Sequence, residues 1–146
     1  MASETGGRRK GAASEILFML CAAVVVGVSI LDVVNVIFIH QSLVERARVG
    51  ATWASRQKFD SAETRNVVVY DMVDPGERDK PRCPDLTANM VSAELLDSGT
   101  GKARVVVKIS NYPYRFYSYW VSKAYNPKTI MAVVKHEAPD SAAVRR

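Results

Sequence analysis

Three polar side chains interrupt a long apolar stretch, and they carry the clearest chemical signal in this sequence. Ser29, Asp32 and Asn35 stand three residues apart within the run 16–39, and Glu15 precedes that run. Side chains at this spacing lie on one face of a helix, so the three form a polar stripe. A carboxylate without partners is costly in an apolar segment. We therefore predict that a neighbouring helix hydrogen-bonds the stripe; a stripe that faces a wet outer leaflet is the alternative.

The run 16–39 predicts a membrane anchor. As a helix its roughly two dozen residues would extend about 36 Å, which exceeds a ~30 Å hydrocarbon core. It is longer than the apolar part of an ordinary secretory signal and no small-residue cleavage site follows it, so we expect a retained anchor. A buried core helix is the soluble alternative. Arg8, Arg9 and Lys10 come just before the run and predict a cytoplasmic N-terminus, with the remainder of the chain exported.

Composition and motifs point away from catalysis, metal binding and nucleic-acid binding. The net charge of +5 is spread along the chain, and no basic face carries stacking aromatics. His40 and His136 are far apart and no Cys/His spacing motif is present. No nucleophile, phosphate-loop or paired-carboxylate signature occurs, so we predict no enzyme, no catalytic residue, no metal and no cofactor. Cys21 lies in the span and Cys83 beyond it, so they should not pair; Cys83 is either a free thiol or an intermolecular half-cystine.

After the span the helical pattern continues as a stalk. Small residues recur at three- and four-residue steps and predict close packing on one face. This stalk-packing set is Ala47, Gly50, Ala51 and Ala54, preceded by Leu43. We expect the helix to reach about Lys58. Asp60 with Glu63 three residues later is a capping-box-like start for a second helix over 61–70. The β-branched run 67–69 leaves a strand as the alternative there.

The rest of the chain predicts a small antiparallel sheet. Segments 87–96 and 102–109 flank a turn at 97–101 and form a hairpin, and 128–135 supplies a third strand. An aromatic-rich crossover over 112–120 either packs on the sheet or binds a ligand by stacking. The fold class is therefore α+β, with a long transmembrane-plus-stalk helix, a short second helix and about three strands. We divide the chain into a basic leader at 1–11, a transmembrane helix at 12–39, a helical stalk at 40–59, an exported α+β domain at 60–136 and a disordered tail at 137–146.

The small residues of the span add to this pattern. Gly27 would permit close approach of another helix, and we group it with Glu15 and the polar stripe as the residues expected to serve helix–helix assembly. The predicted oligomer, homomeric or heteromeric, forms through this transmembrane helix within the lipid bilayer.

Several short motifs follow one another in an order that covers nearly the whole chain. They are basic residues and Gly11 before Glu15, the small-acidic-aromatic series Gly27–Asp32–Phe38, the stalk sequence at 48–54, the segments 65–70 and 84–87, and a strand ending in Tyr112-Pro113-Tyr114. This order resembles the TadE-like family, the pseudopilin-type proteins of the tight-adherence (Flp) pilus system.

The resemblance implies a membrane-anchored minor pseudopilin or assembly component, with no enzymatic activity. Its partners would be other pseudopilins, and it would reside in the bacterial inner membrane with its C-terminal domain in the periplasm. It also implies processing by a prepilin peptidase between Gly11 and Ala12. Glu15 is fourth after that glycine, where pilin-type precursors usually carry a glutamate at the fifth position. A single-span protein whose exported β domain binds a ligand is the alternative function.

Overall fold

The computed structural model describes residues 5–98 and 102–137, and the side chains from Ala13 onward. Its elements are helix α1 at Thr5–Ser55, helix α2 at Ser61–Tyr70, strand β1 at Val91–Leu96, strand β2 at Arg104–Ile109, helix α3 at Tyr119–Ala124 and strand β3 at Ile130–Lys135. The predicted α+β class is confirmed. The turn residues 99–101 and the predicted tail from residue 138 onward lie outside the described residues.

Two local features determine where α2 begins and ends. The Asp60 side chain accepts hydrogen bonds from the backbone N–H groups of Ala62 and Glu63, as an N-cap does. Asp71 ends the helix in the left-handed region at φ 69°, and its N–H donates to Val67 O. The predicted helix bounds are therefore correct, and the strand alternative for residues 67–69 is wrong. Val67, Val68 and Val69 are buried, so packing outweighs their weak helix preference.

Several predicted boundaries differ from the structure, and one helix was not predicted. Strand β2 begins at Arg104 rather than residue 102, and strand β3 begins at Ile130 rather than residue 128. Helix α1 ends at Ser55 rather than near Lys58, because Ser55 O accepts the Glu137 N–H instead of continuing the helical ladder. Strand β1 begins at Val91 rather than residue 87, since Ala88–Met90 form a 3-10 turn. The aromatic crossover contains the short helix α3, which the sequence did not predict.

The sheet is antiparallel in the order β1-β2-β3. On the central strand β2, Val105, Val107 and Ile109 alternate onto one face and are buried. They belong to a core that also contains the stalk part of α1 and the buried face of α2. The α+β unit is thus built around the C-terminal half of α1.

The chain divides into two compact units. One consists of the described part of residues 1–36 together with Arg115–Tyr125, and the other of residues 37–114 together with the described residues from Asn126 onward. We name Arg115–Tyr125 the docking segment.

Candidate membrane-anchoring site

Helix α1 is long and apolar enough to cross a membrane, and among the described residues it is the sole helix that meets this test. Its most apolar 18-residue window is only 6% buried. A core helix of a soluble protein would hide most of such a window against other elements. The side chains before the stripe are instead open on the surface, as for Phe18, which is 75% exposed.

The carboxylate of Asp32 is fully buried by the docking segment. The backbone N–H of Tyr117 donates to Asp32 Oδ1 at 2.7 Å, and that of Ser118 donates to Oδ2 at 2.8 Å. The Ser118 hydroxyl also donates to Oδ2. Three donors face two oxygens, which is the pattern that suits an ionised carboxylate. The site resembles an anion-binding loop in which the anion is a side chain of the span.

The other two stripe residues bind the same segment. Trp120 Nε1 donates to Ser29 Oγ at 3.0 Å, and Ser29 Oγ donates to the carbonyl of Val25 one turn earlier at 2.8 Å. Asn35 Nδ2 donates to the carbonyl oxygen of Arg115 at 3.2 Å. All three polar residues of the stripe therefore have partners within their own chain, whereas the sequence predicted a neighbouring helix. A neighbouring span packed on other faces of α1 stays a prediction.

The docking segment presents aromatic side chains on its outer surface. Tyr117 is 80% exposed, Tyr119 70% and Trp120 50%. Inside the segment, the rings of Phe116 and Tyr125 lie 5.4 Å apart and link its two ends. The aromatic residues were visible in the sequence, but their attachment to the stripe was not. The contacts join residues that are 80 to 91 positions apart, and nothing in either pattern identifies the other.

The remaining residues predicted for assembly lie open on α1. Glu15 is exposed, and Gly27 is exposed with no atom within 4 Å of where a Cβ would stand. Both positions have room for another helix. For Gly11 and Ala12, the predicted processing site, the structure describes a helical backbone and no side-chain environment.

The stalk residues are packed within the α+β unit. Ala47, Ala51 and Ala54 are fully buried, and a Cβ added at Gly50 would overlap Val68 Cγ2 of α2. The small residues at these positions therefore allow α1 and α2 to approach closely. This explains their spacing by packing inside one subunit.

Arg46 of α1 holds the C-terminal end of α2. Its guanidinium donates to the carbonyls of Val68 at 3.1 Å and Val67 at 2.9 Å, and it pairs with Asp71 at 2.6 Å. A cation near the last carbonyls of a helix is favourable. The hydrogen bond and charge of Arg46 hold the pKa of Asp71 below its ordinary value. In the sequence, Arg46 is one charged residue among several in the stalk and nothing marks it out.

Neither cysteine forms a disulfide: Cys21 is exposed on α1 and Cys83 is buried. Of the two alternatives for Cys83, its burial favours the free thiol. Burial raises the pKa of the Cys83 thiol, while the charge of Arg46 opposes that effect.

No group of ligating side chains in the described ranges 5–98 and 102–137 could hold a metal ion.

Part of the aromatic crossover is structural rather than ligand-binding. Tyr112 is 6% exposed, and its hydroxyl donates to Pro84 O at 2.6 Å. Its ring meets that of Tyr114 edge-on at 5.1 Å.

No protein-family model, curated protein or solved structure matches this chain.

Proposed function

We propose that this chain is a membrane-anchored minor pseudopilin or assembly component of a tight-adherence (Flp-type) pilus or secretion system. One observation carries the proposal: α1 is a single helix of 51 residues with two different surfaces. Its N-terminal half exposes apolar side chains, while its C-terminal half supplies buried residues to an α+β core. That arrangement suits a subunit stored in a membrane by a helix that also supports its exported domain. The motif order described above supports the same family.

In this function the span crosses the inner membrane with its basic N-terminus in the cytoplasm and the α+β unit in the periplasm. The cations Arg8, Arg9 and Lys10 support that orientation. An alkaline phosphatase fused after the last residue should be active and a fluorescent protein at the same position dark. The opposite pair of results would reverse the orientation.

Assembly would proceed by lateral packing of α1 against the spans of other pseudopilins. Glu15 is exposed at the N-terminal end of the apolar window and would pair with a cation, such as the N-terminal amine of a neighbouring subunit. Gly27 leaves an open place on the helix surface where another backbone could approach. The stalk adds a groove of about 470 Å³ beside Trp53, which is lined by α1 from Glu45 onward and by Arg56 and Gln57 just after its end.

The test is co-purification of partner pseudopilins from native membranes. Glu15→Gln removes the charge while keeping the size, and Gly27→Leu fills the open place. Both variants should remain in the membrane and lose partners and surface pili. The matched controls are Glu77→Gln, a charge neutralisation in the exposed loop after α2, and Cys21→Leu, an enlargement about 120° around α1 from both Glu15 and Gly27. Normal partner recovery and normal piliation in both test variants would remove the assembly function.

Processing by a prepilin peptidase is a separate part of the proposal. Mass spectrometry of the mature N-terminus would show cleavage as a chain beginning at Ala12. An intact leader would mean that the protein acts uncut, since Glu15 stands one position from the usual register.

A further inference from the structure

We propose that the docking segment is an interfacial anchor that lies in the lipid headgroup layer of the exported leaflet, fixed to α1 by the polar stripe. The inference rests on the proposed membrane insertion of α1. It assigns to Arg115–Tyr125 a binding function toward the lipid surface itself. The same contacts then determine how deeply the span sits.

The position of the stripe along α1 places it at a membrane boundary. From Glu15 to Asp32 the helix rises about 26 Å, close to the ~30 Å thickness of a hydrocarbon core. With Glu15 at the cytoplasmic headgroups, Asp32 therefore lies within about 4 Å of the opposite boundary of the core, before the predicted end of the span at residue 39. The docking segment is hydrogen-bonded to α1 at this same level, through Ser29, Asp32 and Asn35.

The side chains of the docking segment have the chemistry of an aromatic belt. Tyrosine and tryptophan are enriched at membrane interfaces, because their rings are apolar and their N–H or O–H groups are polar. Tyr117, Tyr119 and Trp120 are all at least half exposed. They stand beside helix surface that is itself apolar and exposed, as at Ile30 and Leu31. The apolar surface of the span thus continues onto the segment.

The charge of the segment also fits lipid headgroups. Arg115 and Lys123 are cationic, and the sequence 115–125 contains no acidic residue. Lys123 lies over the Tyr119 ring, 4.8 Å from its centroid, so a cation accompanies an exposed aromatic ring. Basic groups near a membrane surface are attracted to anionic lipids. The single carboxylate at this level of α1, Asp32, is buried beneath the segment and is shielded from those lipids.

The chain offers a direct measurement of depth because it has two tryptophans, Trp53 and Trp120. The full-length Trp53→Phe variant reports on Trp120 alone, and Trp120→Phe reports on Trp53, in the last turn of α1. Each is reconstituted into vesicles of phosphatidylcholine and phosphatidylglycerol. The acyl chains carry bromine either near the headgroup or near the terminal methyl, in both leaflets, so mixed orientation does not affect the readout.

The expected result is a loss of Trp120 emission that is larger with bromine near the headgroup than with bromine near the methyl end. Trp53 should lose no emission with either lipid. Ser29→Ala, which removes the acceptor of the Trp120 N–H, should broaden the depth response of Trp120. Ser42→Ala is its matched control, because Ser42 Oγ makes the same bond to a carbonyl one turn earlier, at 3.0 Å. Pure phosphatidylcholine vesicles should weaken the headgroup-proximal quenching.

Three results would overturn the inference, and they are distinguishable. Release of the protein by alkaline carbonate would remove membrane insertion, and the anchor with it. Retention with Trp120 quenched by aqueous iodide but not by brominated lipid would leave the span in place and refute the anchor alone. Protection of Trp120 from both quenchers, increasing with the protein-to-lipid ratio, would show that a second copy of the chain covers the segment.

Discussion

Replacing Asp32 with leucine should release the docking segment from α1 while leaving the helix in the membrane. The buried carboxylate accepts the backbone N–H groups of Tyr117 and Ser118 and the hydroxyl of Ser118. Leucine offers no acceptor, so these three donors lose their partner. The change also makes the span more apolar, so insertion itself becomes more favourable.

The size of the effect follows from the number of hydrogen bonds lost. A hydrogen bond to a charged group is worth roughly a factor of ten in an equilibrium constant at the lower end of its range. The three donors share one carboxylate and regain some hydrogen bonding to water when released, so we count two effective bonds. Opening of the segment should therefore become on the order of a hundredfold more favourable.

Amide hydrogen exchange of the protein in lipid nanodiscs measures this opening at the residues concerned. The amides of Tyr117 and Ser118 should exchange on the order of a hundredfold faster in Asp32→Leu, whereas those of β2 should keep their native rates. Asn35→Leu, which removes one neutral hydrogen bond of 3.2 Å, should accelerate exchange by only about fivefold. Unchanged exchange at Tyr117 and Ser118 in Asp32→Leu would refute the docking argument, whatever happened to insertion.

Three further predictions concern the α+β unit. Gly50→Ala should lower its thermal unfolding temperature, because the new Cβ overlaps Val68 Cγ2 at a cost of about 1–3 kcal/mol, whereas Gly27→Ala makes the same change in open space and should not. Asp71→Asn should destabilise by at most ~1 kcal/mol at neutral pH, since the pair with Arg46 is partly exposed. The pKa of Asp71 is lower in the folded protein than its ordinary value. The stability difference between wild type and Asp71→Asn should therefore be complete above the ordinary aspartate pKa and should vanish as the pH falls through the lower folded pKa. Denaturant titrations at several pH values measure this difference. Cys83 should react with a water-soluble maleimide only after unfolding. Burial also raises the pKa of its thiol, so the free energy of unfolding of the wild type should fall relative to that of Cys83→Ala as the pH rises past about 9.

Each of these predictions has an outcome that contradicts its reasoning. Equal unfolding temperatures for the two glycine variants would mean that Val68 shifts without cost. A pH-independent difference for Asp71→Asn would mean that the ion pair with Arg46 is not its cause, since asparagine adopts the left-handed region as readily as aspartate; the matched control is Asp74→Asn, in the exposed loop after α2. Rapid labelling of Cys83 in the folded protein would show that its cover opens readily.

The fold could be predicted largely from local patterns. The bounds of α2 followed from Asp60 and the turn residues after Tyr70, because capping is chemistry between neighbours in sequence. The three strands followed from alternation and turn residues, apart from shifts of two to four residues at their N-terminal ends. Helix α3 was missed, since six residues rich in aromatics carry no helical period long enough to recognise.

Only part of the candidate site could be predicted from the sequence. The stripe of Ser29, Asp32 and Asn35 could be recognised because its members share one helix period. Its partner could not, because the contact is made largely by backbone atoms of residues 115–118, and any sequence offers backbone N–H and carbonyl groups. The contact of Arg46 with α2 could not be predicted for the same reason, because two of its three partners are carbonyl oxygens of α2.

The internal partners of the stripe change which residues bear the assembly proposal. A polar group inside a span suggests an intermolecular contact chiefly when nothing else satisfies it. Asp32 is satisfied by its own chain and so needs no neighbour. The open positions at Glu15 and Gly27 remain as the places where another span could pack. Different residues of the span would then have separate tasks, with assembly at Glu15 and Gly27 and depth control at the stripe. Variants at Glu15 and Asp32 should accordingly impair partner recovery and Trp120 depth independently, and a double variant should show both defects without enhancement.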